Sequence, residues 1–126
     1  MPTVLRVETE DGQGCYRNSD VVTILNHTDV DKHPEPYLRH EPWYNLWNTE
    51  NQFCGFMDMI QLKAWFSEED CEILRQHGCY LSIYDVAEEH ILLGDKQITF
   101  ERSKATRKAL LAVSYTHLTL PTKRIV

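Results

Sequence analysis

Apolar and polar residues alternate at the start of the chain, as they do in a strand with one buried face. Over residues 3–8, Leu5 and Val7 point to one face. Arg6 and Glu8 point to the opposite face, so the period of two predicts a first strand. The sequence DGQG at residues 11–14 follows it, and two glycines beside an aspartate favour a tight reversal.

Two short helices are predicted between Asp58 and His77. Asp58 is a good N-cap, and Gln61 stands at the third helical position, from which it can reach back to the cap. Apolar residues then recur at three- and four-residue spacing: Met59, Leu62, Trp65 and Phe66. Ser67–Asp70 (SEED) repeats the capping-box pattern, so a second helix begins there. Gly78 favours its termination near His77.

The last third of the chain alternates between strand and helix patterns. Cys79–Val86 is apolar on both faces and rich in residues that favour strands, which indicates a central strand. Lys96–Glu101 alternates again and predicts another strand. Between them, Ala87–Asp95 fits either a helical turn or a short strand. Lys104–Leu111 has helical propensity, and Val21–Leu25 suits a short strand.

A long loop is predicted between residues 26 and 52, where no hydrophobic period is sustained. Prolines and polar residues dominate Asn26–Pro42, and proline removes the N–H donor that a helix or sheet needs. The same region contains the aromatic residues Trp43, Tyr44 and Trp47. Such side chains either cover a core or anchor a partner protein, and the sequence leaves both uses open.

These segments predict an α+β fold. A small, mainly antiparallel sheet would contain Thr3–Glu8, Cys79–Val86 and Lys96–Glu101, packed by the two short helices of residues 58–77. The proline- and aromatic-containing loop would lie over it. About 110 residues suit one domain with a single core.

The C-terminal segment Val113–Val126 (VSYTHLTLPTKRIV) resembles a translated sequencing adapter. A transposon-end adapter read in one frame gives its first ten residues without a gap. Such a scar is excluded from fold reasoning. We therefore expect a single domain over residues 1–112, a tail outside the fold over residues 113–126, and a natural C terminus that is missing.

The acidic charge of the chain argues against nucleic-acid binding. The net charge is −6 at pH 7, with 13 basic and 19 acidic residues; removing Lys123 and Arg124 leaves 11 basic residues and a charge of −8. A surface of this sign repels a phosphate backbone. No apolar run is long enough to span a bilayer and no signal peptide is evident, so we expect a cytoplasmic protein without membrane contact.

The cysteines and histidines do not form a recognisable catalytic or metal-binding motif. The cysteines, which we expect to be reduced and mostly buried, are Cys15, Cys54, Cys71 and Cys79. Pairing Cys54 or Cys79 with a histidine would give a nucleophile, but an acidic chain offers little to activate a thiolate. His27, His33 and His40 lie among carboxylates in the loop, without the spacing of a known zinc motif. A solvated loop is the favoured explanation for them.

Several short segments together resemble a family of uncharacterised proteins from phages and gut-bacterial prophages, over about residues 3–105. They are Leu5-Arg6-Val7-Glu8, Asp11-Gly12-Gln13-Gly14, His33-Pro34-Glu35-Pro36, Cys54-Gly55-Phe56, Gln61-Leu62, Trp65-Phe66, Tyr84-Asp85-Val86 and Gln97-Ile98-Thr99-Phe100. The resemblance implies a phage or prophage origin and transfers no activity.

A more distant outline is similar to that of ADP-ribosyltransferases. It consists of an arginine on the first strand, a Gly-Phe segment before a helix, and a late strand with a polar residue. The resemblance implies an arginine that binds the phosphate of NAD, a serine at the ribose site and a catalytic glutamate. The matching positions are Arg6, Asp58 and Gln97. Asp58 replaces the serine and Gln97 lacks the negative charge, so the sequence favours the structural reading: a strand arginine, a helix cap and an edge polar group.

The sequence therefore favours a small phage-borne accessory or protein-interaction protein without a cofactor. Trp43, Tyr44 and Trp47 are its predicted contact surface. The alternative is an ADP-ribosyltransferase-like protein that uses NAD through Arg6, Asp58 and Gln97, on a scaffold that has lost part of its site. A metal-dependent protein that uses the loop histidines is a third hypothesis. Catalysis and oligomeric state are left open.

Overall fold

The computed structural model describes residues 2–15, 19–25, 52–113 and 121–124, with backbone alone for residues 19 and 121–124. Its helices and strands follow in chain order. They are β1 (Thr3–Thr9), α1 (Ser19–Leu25), β2 (Gln52–Gly55), α2 (Met59–Trp65), α3 (Glu68–Gln76), β3 (Cys79–Val86), β4 (Ile91–Leu92), β5 (Ile98–Glu101), β6 (Ala105–Leu111) and β7 (Pro121–Arg124). Short 3-10 helices at Glu88–His90 and Arg102–Lys104 precede β4 and β6.

The strands form two antiparallel sheets. The first has four strands in the order β1-β3-β6-β7, and the second has three in the order β2-β5-β4. Leu5 connects them, since its N–H donates to the carbonyl oxygen of Phe56 at 2.8 Å and its carbonyl oxygen accepts from the N–H of Phe56 at 2.7 Å. The predicted α+β class with a mainly antiparallel sheet is confirmed.

The four-stranded sheet is the middle of three layers. On one face, Leu5 and Leu81 belong to a large apolar cluster that includes buried residues of α1, α2 and α3. On the other face, Val4 and Tyr84 pack in a smaller cluster with Phe100 of β5. Because both faces are covered, β3 is apolar on both sides, as its sequence predicted.

The two predicted helices are present, and their caps explain where they begin. Asp58 accepts a hydrogen bond from the N–H of Gln61 at 2.9 Å, so α2 starts at Met59. The side chain of Gln61 accepts from the N–H of Met57 rather than from the cap residue itself. Ser67 and Asp70 form the predicted capping box of α3. None of the helices in the described part of the chain could traverse a bilayer.

Three of the predicted segments were wrong in type or position. Ala105–Leu111, predicted to be helical, is strand β6, because its backbone pairs along β3 and tertiary pairing outweighs intrinsic helix propensity. Val21–Leu25, predicted as a strand, lies in α1, where Val21 and Leu25 reach the core from successive turns. Ile98–Glu101 is a strand as predicted, but it belongs to the second sheet. The predicted long loop lies almost entirely outside the described residues.

The C-terminal segment contributes a short edge strand. The backbone of Pro121–Arg124 pairs with Ala109, Leu110 and Leu111 of β6, and Val113 is fully buried. The positions that would decide whether this ending is an evolved part of the core are Tyr115, Leu118 and Leu120. They lie outside the described residues. The assignment of residues 113–126 to a tail outside the fold stays a prediction.

We expect a protein ending at Val113 to be nearly as stable as the full chain. The described part of the ending pairs with β6 along one edge over a few residues, and frayed edge strands contribute little to global stability. Thermal unfolding of residues 1–113 beside the full chain checks this. A fall in the midpoint of more than about 4 °C, which corresponds to roughly 1 kcal/mol, would show that the ending stabilises the fold.

Candidate functional site

Charged and polar side chains gather on one face of the four-stranded sheet. Arg6 and Glu8 are two residues apart on β1, and Arg6 lies opposite Ser82 of β3. Tyr84 is two residues further along β3 and lies opposite Arg107 of β6. Because alternate residues and cross-strand partners share a face, these five side chains point to the same side of the sheet. We call them the Glu8 cluster.

The carboxylate of Glu8 is the centre of this cluster. Its Oε1 accepts a hydrogen bond from Nε of Arg6 at 2.8 Å. Its Oε2 accepts from Oγ of Ser82 at 2.8 Å, from the hydroxyl of Tyr84 at 2.5 Å and from Nη1 of Arg107 at 2.9 Å. Three strands therefore meet at one side chain.

Burial makes these interactions strong and mutually dependent. Glu8 has no exposed surface, and the side chains of Arg6 and Arg107 are 13% and 16% exposed. A buried charge costs several kcal/mol unless it is paired and hydrogen-bonded. Burial, followed by the hydrogen bond to Glu8, raises the pKa of Tyr84 far above its usual value. Tyr84 therefore stays protonated and keeps donating to the carboxylate.

Arg6 also fastens the four-stranded sheet to β2. Its Nη1 donates to the carbonyl oxygen of Cys54 at 2.7 Å, and its guanidinium lies 4.6 Å from the ring centroid of Phe53. A Cβ atom at Gly14 would lie 2.7 Å from Nη2 of Arg6. The chain thus approaches this guanidinium closely from two sides, and glycine at residue 14 makes room for it.

Glu8 is enclosed by the side chains that bind it. Its Oε2 accepts hydrogen bonds from three side chains and its Oε1 from one, and the side chain has no exposed surface. A general base or nucleophile needs an acceptor position that faces the substrate. The carboxylate of Glu8 has no exposed surface that a substrate could reach, so its arrangement is that of a structural anion.

Comparison with known proteins places the chain among phage proteins. The family described as Bacteriophage T4 Y00F protein matches residues 1–114. The chain belongs to this family. The predicted resemblance to a family of phage proteins is thereby confirmed.

A curated relative of this Y00F-family chain comes from Enterobacteria phage T4. It is described as "Uncharacterized 19.7 kDa protein in motB-dexA intergenic region" and is 29% identical over 60 residues. The match covers 48% of this chain and 36% of the relative, so the chain spans about a third of the length of the curated relative it matches. No solved structure matches the chain.

The three residues suggested by the ADP-ribosyltransferase outline have separate structural roles. Arg6 binds Glu8 and Cys54, whereas Asp58 is exposed and caps α2. In the described part of the chain these two residues share no hydrogen bond or ion pair. Gln97 is buried just before β5. Binding of NAD phosphate by Arg6 would require its release from Glu8 and Cys54, and the NAD-binding assignment stays a prediction.

The predicted contact surface and the predicted metal ligands lie outside the described residues. This applies to the aromatic residues Trp43, Tyr44 and Trp47, and to the histidines His27, His33 and His40. Within residues 2–15, 19–25 and 52–113, no group of three or more metal-ligating side chains comes together. The contact surface therefore remains a proposal.

None of the four cysteines forms a disulfide bond. Cys15, Cys71 and Cys79 are buried, and Cys54 is partly exposed. Burial, and next the neighbouring carboxylate of Asp70, raises the pKa of Cys71 to about 11. Burial also raises the pKa of Cys79. These two thiols are protonated at neutral pH, a state in which cysteine is a poor nucleophile.

Sequence reasoning missed Glu8, Ser82, Tyr84 and Arg107 as members of one cluster. A partial signal was present, since opposite charges at residues 6 and 8 share a strand face. The partners of Glu8 are far away in sequence: Arg107 is separated from it by 99 positions. No local pattern links residues at that distance, so only the strand pairing brings them together.

Proposed function

We propose that this phage protein is an accessory factor that binds a partner protein in the host cytoplasm. The observation that carries the proposal is the exposure of two apolar side chains of α1, Val22 at 42% and Ile24 at 49%. They flank the buried side of the helix on opposite sides, because side chains two residues apart on a helix do not face each other. Exposed apolar side chains favour protein–protein contact.

The composition of α1 explains why these side chains are available. Val21 and Leu25 are four residues apart and fill the large core cluster, with 0% and 7% exposure. Val22 and Ile24 lie off that buried stripe, at positions where surface helices usually carry polar residues. Packing within the described residues therefore does not require them to be apolar, whereas a partner surface would.

The chain continues from α1 into the segment that contains Trp43, Tyr44 and Trp47. Tryptophan and tyrosine are enriched among the residues that dominate binding energy at protein interfaces. We assign these three residues, together with Val22 and Ile24 of α1, to the proposed contact with the partner. The net charge of −6 makes a protein a better partner than a nucleic acid, because the phosphate backbone would be repelled.

The test is affinity purification of the tagged protein from phage-infected host cells, followed by identification of the partner and measurement of its affinity with purified components. We expect the double variant Val22→Ser/Ile24→Ser to weaken binding at least about tenfold. This is the loss that truncation of a single interface hot spot typically causes. Replacement of Trp43, Tyr44 and Trp47 by alanine should weaken it further.

The matched control replaces Ile60 of α2 and Leu93, which follows β4, by serine, since these side chains are 79% and 62% exposed. The control should bind like the unmodified protein. The Val22/Ile24 variant and the Ile60/Leu93 control should unfold at similar temperatures, because surface substitutions usually change stability by less than about 0.5 kcal/mol. Equal binding by every variant would refute the assigned region. Absence of any reproducible partner would refute the function.

A further inference from the structure

Arg102 has a positive charge that no carboxylate balances in the part of the chain that the structure describes. It begins the 3-10 helix Arg102–Lys104, between β5 and β6. Its guanidinium lies 4.8 Å from the ring centroid of Tyr84. The ion pairs of the described arginines are formed instead by Arg6 and Arg107 with Glu8, and by Arg75 with Glu72.

Two guanidinium groups lie beside Tyr84, and only one of them is paired with a carboxylate. Arg102 stacks over the ring, while Arg107 lies opposite Tyr84 in the strand register and binds the same carboxylate as its hydroxyl. Arg6 and Arg107 bind the carboxylate of Glu8, and Arg107 also lies near the carboxylate of Asp11, whereas Arg102 forms no ion pair with either among the described residues. Tyr84 is protonated and contributes no negative charge. The unpaired charge of Arg102 is a local feature, since the chain as a whole is acidic.

Both arginines beside Tyr84 are held in place before any ligand arrives. Arg107 donates from Nη1 to Glu8 and from Nη2 to the carbonyl oxygen of Glu10. Arg102 is partly buried and is positioned by its contact with the aromatic ring. A guanidinium has five N–H donors, and those of Arg102 bind no group among the described residues. An oriented arginine with unused donors suits a planar or tetrahedral oxyanion.

We propose that Arg102 and Arg107 form a binding site for a compact oxyanion, the phosphate or carboxylate group of a small molecule. Arg102 supplies the main hydrogen bonds, and Arg107 supplies its charge and its Nε–H. The partly buried position strengthens the attraction, because screening by water is weaker there. The ligand is compact because the acidic surface repels an extended polyanion. This site is independent of the proposed contact region on α1.

Titration of the full chain tests the site, with inorganic phosphate in one series and acetate in another, at constant ionic strength. Binding is followed by ¹H–¹⁵N spectra that include the arginine Nε–Hε signals. We expect saturable binding, with shifts at Arg102 and Arg107. Arg102→Gln should weaken it at least tenfold, and Arg102→Lys by less. The matched control is Lys104→Gln, which removes the same charge from an exposed neighbour and should change the affinity less than twofold.

The two anions distinguish the source of the ligand. Tighter binding of phosphate identifies a phosphate-bearing ligand, and tighter binding of acetate identifies a carboxylate. Absence of saturable binding for both anions would overturn the proposal. Equal losses for Arg102→Gln and Lys104→Gln would also overturn it, because the attraction would then be general. If Arg102→Gln does not fold, Arg102→Lys is the deciding variant. The role of the guanidinium would be contradicted if this variant bound the anion with unchanged affinity and showed the same chemical-shift changes at Arg107.

Discussion

Replacement of Glu8 by glutamine is expected to lower the free energy of unfolding by about 3 kcal/mol or more. The substitution keeps the size of the side chain and removes its charge, so the guanidinium groups of Arg6 and Arg107 lose their carboxylate. Both arginines are largely buried and cannot recover full hydration. Whichever way the amide is oriented, its NH₂ would also face a donor, either Nε of Arg6 or the hydroxyls of Ser82 and Tyr84, where an acceptor is required. Urea denaturation followed by circular dichroism measures the loss.

Glu88→Gln is the matched control, because it makes the same chemical change at an exposed position. We expect it to alter stability by less than about 0.5 kcal/mol. The double variant Glu8→Gln/Arg107→Gln should lose less than the sum of the single variants, since residues in one buried network are energetically coupled. A Glu8→Gln protein as stable as the control would show that the cluster contributes little to folding.

Substitution of Gly55 by alanine is expected to cost about 2 to 3 kcal/mol, within the range for overpacked cores. A Cβ atom at this position would lie 2.7 Å from the carbonyl oxygen of Leu5 and 2.9 Å from Cγ1 of Val4. The same carbonyl oxygen accepts the hydrogen bond from Phe56 that joins β2 to β1. The backbone must shift to admit the methyl group, which weakens the junction between the two sheets. Thermal and urea unfolding report the change.

Gly14→Ala provides the comparison, since its added Cβ would also lie 2.7 Å from the nearest atom. That atom is Nη2 of Arg6, at the end of a long side chain that can move aside. We expect this variant to lose less stability than Gly55→Ala. The reverse order would mean that the fixed position of Arg6 matters more to the fold than the close approach of the two backbones.

The Glu8 cluster adds directional polar contacts to the apolar contact between the two sheets. The contacts among Val4, Tyr84 and Phe100 are not directional, because apolar burial tolerates sliding. The bonds of Arg6 to Glu8 and to Cys54 are directional and fit one arrangement of β1 against β2. We infer that the cluster fixes the position of the second sheet. In Glu8→Gln we therefore expect the alignment of β1 against β2 to be lost together with stability.

Local pattern was sufficient for the elements whose own residues specify them. The capping residues Asp58 and Ser67 predicted the starts of α2 and α3. Gly78, with a φ angle of 78°, ends α3 as expected. The apolar residues of Cys79–Val86 predicted a strand buried on both faces. Each of these signals arises from residues within a few positions of one another.

Local pattern failed where distant contacts decide the conformation. Ala105–Leu111 consists largely of good helix formers, yet it is extended because β3 presents a strand edge that accepts its hydrogen bonds. Val21–Leu25 contains residues that favour strands, yet it is helical because the helix turns Val21 and Leu25 together into the core. Intrinsic propensities differ by less than about 1 kcal/mol per residue, so tertiary packing overrides them.

The sequence by itself determined the α+β class, the buried central strand, two helix starts and membership of a phage family. It also placed Arg6 and Glu8 on one strand face. Only the tertiary structure decided that Ser82, Tyr84 and Arg107 complete this pair into a buried cluster, and that Arg102 remains without a carboxylate among the described residues. The physical reason is that periodicity records which way a side chain points, whereas its partners depend on which strands become neighbours.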